Sequence, residues 1–217
     1  MRLDILKCCV YGTVLNRSLL FGVQNTANLF MWSINTLDNE KEPLIRRHVY
    51  EHGRLQSSDT PIGKYFSKED LLNKECHLRI DAKDGVIKTF INHVLVDTYL
   101  DKAGKLKNGA VGFRAYKGND NETAVYDNVV LTEYVKKGDK ILSKVVLDED
   151  FEKGTSTFDG GEVIAIDGNH KLNIFSTSGD FKVLQPMAEG IPMFRKDFKL
   201  RKRIASARIY SSALGVY

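Results

Sequence analysis

The chain is 217 residues long, 42% hydrophobic and 28% charged, with a formal net charge of +4. That apolar content excludes wholesale disorder, and the length holds one large β domain or one domain and part of another. The mild basic excess singles out no polyanionic partner, and no apolar run approaches the ~20 residues that span a bilayer.

The opening stretch, MRLDILKCCVYG, is too short in apolar residues for a secretory signal and has no small-residue cleavage site. The protein is therefore cytoplasmic, or its export signal lies outside this stretch. Three cysteines, Cys8, Cys9 and Cys76, are too few and oddly numbered for a disulfide framework. They lack zinc-ligand spacing and read as small buried hydrophobes.

Period-2 alternation dominates the rest and predicts strands. NLFMWSIN sets Phe30, Trp32 and Ile34 on one face against Leu29 and Met31. IRRHVY, if extended, puts Arg46, His48 and Tyr50 on a common face. SKEDLLNK predicts one short helix, with Ser67 as N-cap and Asp70 at the third helical position. HLRID alternates Leu78 and Ile80 with polar residues.

GVIKTFINHVLVDTY is the clearest hairpin, with Asn92-His93 as a two-residue turn of positive φ. AVGFRAY places Val111 and Phe113 opposite Arg114 and Tyr116. TAVYDNVVLTEY places Val125, Val129 and Leu131 opposite Ala124, Tyr126 and Val130. Asp84-Gly85, Lys107-Asn108-Gly109 and Lys117-Gly118-Asn119-Asp120 supply turns.

Many short strands with few helices predict an all-β fold, an antiparallel jelly-roll sandwich of the concanavalin A type over 1–136. The polar stretch YVKKGDKI (134–141) suggests a boundary. Residues 137–217 then form a second β segment that begins another sandwich. For 140–190 two placements stay open: packing back onto the first domain, or leading into the second. The end of the chain, an apolar strand-like run without a polar tail, reads as cut from something longer.

The residues MFRKDFKL and IASARIYSSALGVY (193–200 and 204–217) resemble the opening strands of the N-terminal β-sandwich of bacterial α-L-rhamnosidases. FMWSIN, IRRHVYEHG, GVIKTFINHVLVDTY, GAVGFRAY and ETAVYDNVVL resemble the concanavalin A-like, laminin G-like jelly roll that precedes it in some of these proteins. Two positions depart from that pattern. His93 stands where the hairpin turn has glycine, and Arg46-Arg47-His48 stands where the family has Arg-Pro-His. The resemblance implies a catalytic (α/α)6 barrel elsewhere in the parent protein, carrying the catalytic carboxylates, and it implies export from the cytoplasm.

Glycoside hydrolysis usually needs two facing carboxyl groups. The acidic clusters Asp148, Glu149, Asp150, Glu152 and Asp120, Glu122, Asp127 read instead as solvated loop charge, with Asp127-Asn128 tying down neighbouring backbone by hydrogen bonds, so no catalytic residue is assigned. Sugar binding needs an aromatic platform and planar polar groups. Trp32, Arg46, His48, Arg114 and Tyr116 are the candidates for a rhamnose-containing glycan, although the alternation of Trp32 with Phe30 and Ile34 favours the core. No cofactor is required; calcium is a candidate at KGNDNE through Asp120 and Glu122, against the plain reading of a polar turn. The basic run from Arg195 to Arg203 is interleaved with Phe198 and Leu200. It reads as a half-exposed strand face, not a nucleic-acid interface.

Overall fold

A computed structural model describes residues 1–11, 15–36, 41–115, 123–175 and 181–184; the side chains of 3–11, 15, 16, 36, 136 and 181–184 lie outside that description. The chain divides into two compact units, Met1–Met187 and Ala188–Tyr217, and every described residue lies in the first. The rhamnosidase-like stretch from Met193, the basic run from Arg195, and the turn at 117–120 lie outside the described residues.

The strands in chain order are β1 (Arg2–Tyr11), β2 (Leu15–Asn25), β3 (Asn28–Thr36), β4 (Leu44–Glu51), β5 (Arg54–Pro61), β6 (Cys76–Lys83), β7 (Val86–Ile91) and β8 (Val94–Leu100). They continue with β9 (Ala110–Ala115), β10 (Thr123–Lys137), β11 (Lys140–Glu149), β12 (Glu162–Ile166), β13 (Asn169–Phe175) and β14 (Phe181–Leu184). One short helix, α1 (Lys68–Leu71), sits between β5 and β6. All pairings among these strands are antiparallel. The first sheet runs β12-β13-β10-β1-β6-β7-β8, with β11 beside β10, and the second runs β14-β9-β2-β3-β4-β5.

The two sheets form a sandwich because each contributes one apolar face to a shared core. Leu19, Phe21, Phe30, Trp32, Ile34, Ile45, Val49 and Phe113 come from the second sheet; Leu78, Ile80, Ile87, Ile91, Tyr126, Val129 and Leu131 come from the first. Phe21 and Trp32 meet edge to face at 5.0 Å, Trp32 and Tyr99 at 5.5 Å, and Phe113 stacks on Tyr126 at 3.9 Å. Such geometries add specificity to the area that these rings bury.

Local chemistry sets the ends of the elements. Ser67 accepts from the Asp70 backbone N–H, and the Asp70 carboxylate accepts from the Ser67 N–H, closing a capping box on α1. Asn92 and His93 both take positive φ, 47° and 68°, as a two-residue turn between β7 and β8 requires. The Asn92 side chain also accepts from the His77 N–H at 2.9 Å. The polar stretch 134–141 is the far end of a hairpin: β10 and β11 stay paired from Val129↔Glu149 to Lys137↔Lys140 around Gly138 and Asp139. β13 pairs with β10 as well, from Thr123↔Phe175 to Tyr126↔Leu172.

One predicted face is wrong. Ala124 and Tyr126 share the core with Val129 and Leu131 instead of opposing them. The backbone turns left-handed at Asn128, φ 52°, and this breaks the alternation between the two halves of β10.

Two buried charged side chains anchor segments that lie outside the strands. Arg17 is fully buried and donates to the Leu71 and Lys74 carbonyls at 2.8 and 2.9 Å and to the Cys76 thiol at 3.2 Å, so it ties β2 to the end of α1. Asp101 is buried, and its carboxylate accepts from the Lys105 and Leu106 N–H groups at 3.0 and 2.8 Å, folding the 101–109 loop back on itself. That loop lies against Gly22, where φ is +58° and a Cβ would collide with Leu106, so only glycine fits.

Replacing Asn92 with alanine removes the bond to His77 and forces a Cβ-bearing residue without a polar side chain into the left-handed region. The expected cost is about 1–2 kcal/mol. Urea denaturation of Asn92→Ala checks it; an unchanged midpoint would contradict this account of the hairpin.

Candidate functional site

Because side chains alternate, β3 divides its residues between two environments. Phe30, Trp32 and Ile34 enter the core, while Leu29, Met31 and Ser33 face away from the first sheet. Register then places the outward residues of neighbouring strands in rows. Ser33 pairs with Arg46, Arg46 with Asp59, Ser33 with Ser18, and Ser18 with Arg114. In the next row Met31 pairs with His48, and His48 with Ser57; beyond it Leu29 pairs with Tyr50.

The structure therefore brings Arg46, His48 and Arg114 onto one face, with Tyr50 beside them. Trp32 does not join them. It is 2% exposed and packed among Phe21, Phe30 and Tyr99, so it offers no stacking surface to an external sugar. Tyr116, Asp120 and Glu122 lie outside the described residues. No group of three or more potential metal-ligating side chains occurs among the described residues.

The face has a defined polar geometry. Arg46 grips Asp59 with two hydrogen bonds, Nε to Oδ1 at 2.9 Å and Nη2 to Oδ2 at 2.7 Å. This fork-on-carboxylate contact holds the Asp59 carboxyl below its ordinary range. Ser18 and Ser33 share a hydrogen bond of 2.7 Å between their hydroxyls. Arg114 reaches the Met31 sulfur at 3.8 Å.

His48 stands between the two arginine rows, its ring near-perpendicular to that of Tyr50 at 6.5 Å. Burial, then the charges of Arg114 and Arg46, push its pKa below the usual 6.5, with Asp59 opposing. The imidazole is thus neutral at pH 7, and its Nδ1 is buried with no hydrogen-bond partner among the described residues.

Tyr50 also leads off the face. It lines a cavity of about 480 Å3 at the end of the second sheet, together with Asn25, Asn28, Glu51, His52 and Lys105. Lys105 closes that cavity by an ion pair with Glu51 at 2.8 Å and a hydrogen bond to Gln56 at 3.2 Å. The residue between the two outward side chains behaves differently. Arg47 points inward, lies over the Tyr99 ring at 5.3 Å, and meets the buried Asp97 at 3.5 Å.

Sequence reading missed Asp59 and the Ser18–Ser33 pair, because cross-strand partners 13 and 15 residues apart carry no local signal. It also took the acidic clusters as loop charge. Glu149 instead accepts from the Phe151 and Thr157 N–H groups at 3.4 and 3.0 Å. Asp127 is fully buried and accepts from Asn169 at 2.6 Å.

No protein-family model matches the chain, and no curated protein matches it at a significant level.

The lowered pKa of His48 predicts an acid-sensitive component of stability. Above the unfolded value near 6.5 the group contributes no pH dependence. As pH falls below it the unfolded chain binds the proton first, so stability declines until the folded pKa is passed. Urea midpoints at pH 7.5 and 5.5 should fall more for the wild-type chain than for His48→Gln; equal slopes would refute the assignment.

Proposed function

We propose that this chain is a non-catalytic accessory region of an α-L-rhamnosidase-like glycoside hydrolase, and that it binds a rhamnose-containing glycan on the outward face of its second sheet. The observation that carries this reading is the convergence of His48, Arg46 and Arg114, with Tyr50 beside them, on one outward face of the second sheet. A neutral imidazole offers one hydrogen-bond donor and one acceptor. The guanidinium groups donate in a plane, and a half-buried tyrosine ring supplies an apolar edge. Together these are the groups that orient a saccharide.

The sandwich itself supports the reading, since such faces present ligands from rigid strands and not from loops. The catalytic barrel of the parent would then be the partner that this region positions or braces, outside the cytoplasm.

A second reading, a purely structural module without a sugar ligand, draws on a specific feature of the same face. Leu20, Met31, Ser18 and Ser33 lie between the candidate side chains and are at most 3% exposed. A face that is covered serves as an interior contact, not as a platform.

Calorimetric titration with L-rhamnose and rhamnose-containing oligosaccharides separates the two. The accessory-binding reading expects saturable binding that His48→Ala and Arg114→Ala each weaken about tenfold, the loss of roughly one good hydrogen bond. A flat response to millimolar concentrations would establish the structural module instead.

A further inference from the structure

We propose that the cavity of about 480 Å3 at the end of the second sheet is a subsite for a uronic acid, the sugar next to the rhamnose on the outward face. The inference rests on the reading of that face as a sugar site, and it names the neighbour that the site selects. Tyr50 joins the two places. Its ring lies 6.5 Å from that of His48, and it lines the cavity together with Leu29, its cross-strand partner. Leu29 is 4% exposed and packs with Tyr50, so the cavity has an apolar floor. A pyranose has an apolar ring face and polar edges, and an apolar floor with polar walls matches both.

The walls are tied to one another. In the turn between β2 and β3, Asn25 Oδ1 accepts from the Ala27 N–H at 2.9 Å and from the Asn28 amide at 3.0 Å. Asn28 Oδ1 accepts from the His52 N–H at 3.0 Å, and the Gly53 N–H donates to the Ala27 carbonyl at 2.9 Å. These two bonds join that turn to the one between β4 and β5. The third wall is the loop after β8, already folded on Asp101. Lys105 fastens it to Glu51 and Gln56, and the Gln24 amide donates to the Asn108 carbonyl. Three loops that hold each other give the cavity its shape before any ligand arrives, which lowers the ordering cost of binding.

The same ties decide the charge of the occupant. Glu51 is the one carboxylate among the described residues that line the cavity, and Lys105 matches it at 2.8 Å. Their hydrogen bond holds the Glu51 carboxyl below and the Lys105 ammonium above the ordinary value. The side-chain oxygens of Asn25 and Asn28 are taken up within the turns. Donors remain. Lys107 uses one of its three N–H bonds on the Gly104 carbonyl at 2.7 Å, and the Asn25 amide nitrogen donates to nothing among the described residues. A carboxylate only accepts, and it answers an ammonium more strongly than a neutral hydroxyl does. A uronate therefore fits where an amino sugar would be repelled.

The test is calorimetric titration of the 217-residue chain with L-rhamnose, a glucuronosyl-rhamnose disaccharide and its neutral glucosyl-rhamnose counterpart. The acidic disaccharide is expected to bind about tenfold tighter than the neutral one, the effect of one charge-assisted hydrogen bond. Lys107→Gln, a change at an exposed position, should abolish that preference and leave affinity for the neutral disaccharide unaltered, whereas Lys107→Arg should keep it. Equal affinity for the two disaccharides, or a preference that survives in Lys107→Gln, would overturn the subsite while rhamnose binding on the face stands. Displacement of the acidic disaccharide by an equal concentration of inorganic phosphate would do the same, assigning the cavity to simple anions. Binding of none of the three sugars would overturn the reading of the face and the subsite together.

Discussion

The register of β3 between β2 and β4 is the constraint on which the rest of this molecule depends. A shift of one residue in that ladder would carry Trp32 and Phe30 to the outside and bring Met31 and Ser33 into the core. Such a slip would strand the Ser33 hydroxyl in an apolar layer and expose two large aromatic surfaces. The edge contacts of Trp32 with Phe21 on β2 and with Tyr99 on β8 oppose it, and the second of these joins the second sheet to the first. Register within one sheet is therefore fixed partly by packing against the other.

The same constraint builds the polar face. Once Trp32 is inward, Ser33 must be outward, and the pairing Ser33↔Arg46↔Asp59 follows from it. Arg46 then finds a carboxylate at the correct distance without any long-range search by its side chain. The exposed part of this pair adds little stability, since salt-screened surface ion pairs are worth at most about 1 kcal/mol. Its effect is positional: it holds one guanidinium still next to His48, whose protonation is disfavoured first by burial and then by the charges of Arg114 and Arg46. The electrostatic state of the face is thus a consequence of strand register.

Much of this was legible in the chain. The alternation in NLFMWSIN assigned the core and outer faces of β3, Asn92-His93 announced a two-residue turn, and Ser67 with Asp70 announced the one helix. Local patterns carry such features because their partners lie within a few residues. Arg17 shows why other features were not legible. It sits on a strand as a surface arginine would, yet it is fully buried, with acceptors 54 to 59 residues further along the chain. Asn128 misled in a different way. One residue in the left-handed region reverses the faces of everything that follows it, and alternation read along β10 has no means of registering that break. Candidate site residues divided along the same line. Arg46 and His48 were placed together by local spacing, Arg114 joined them only through the β2–β9 register, and Trp32 left them because its own alternation partners belong to the core.

The consecutive arginines of β4 show how the sandwich uses one residue type for opposite purposes. Arg46 faces outward and is matched by a carboxylate that keeps water on one side. Arg47, one step on, carries a charge toward the interior, where desolvation is expensive. Three features offset that cost. Asp97 approaches at 3.5 Å, the Tyr99 ring lies beneath the guanidinium, and the side chain keeps 15% of its surface in solvent. Asp97 is itself only 3% exposed at its side chain, so losing Arg47 would leave a buried carboxylate without its charge partner. A proline at this position would remove the guanidinium and one backbone N–H and leave Asp97 without its charge partner. The arginine instead commits β8 and β4 to each other across the open side of the sandwich. That commitment holds Tyr99 against Trp32, and through Trp32 it returns to the register of β3.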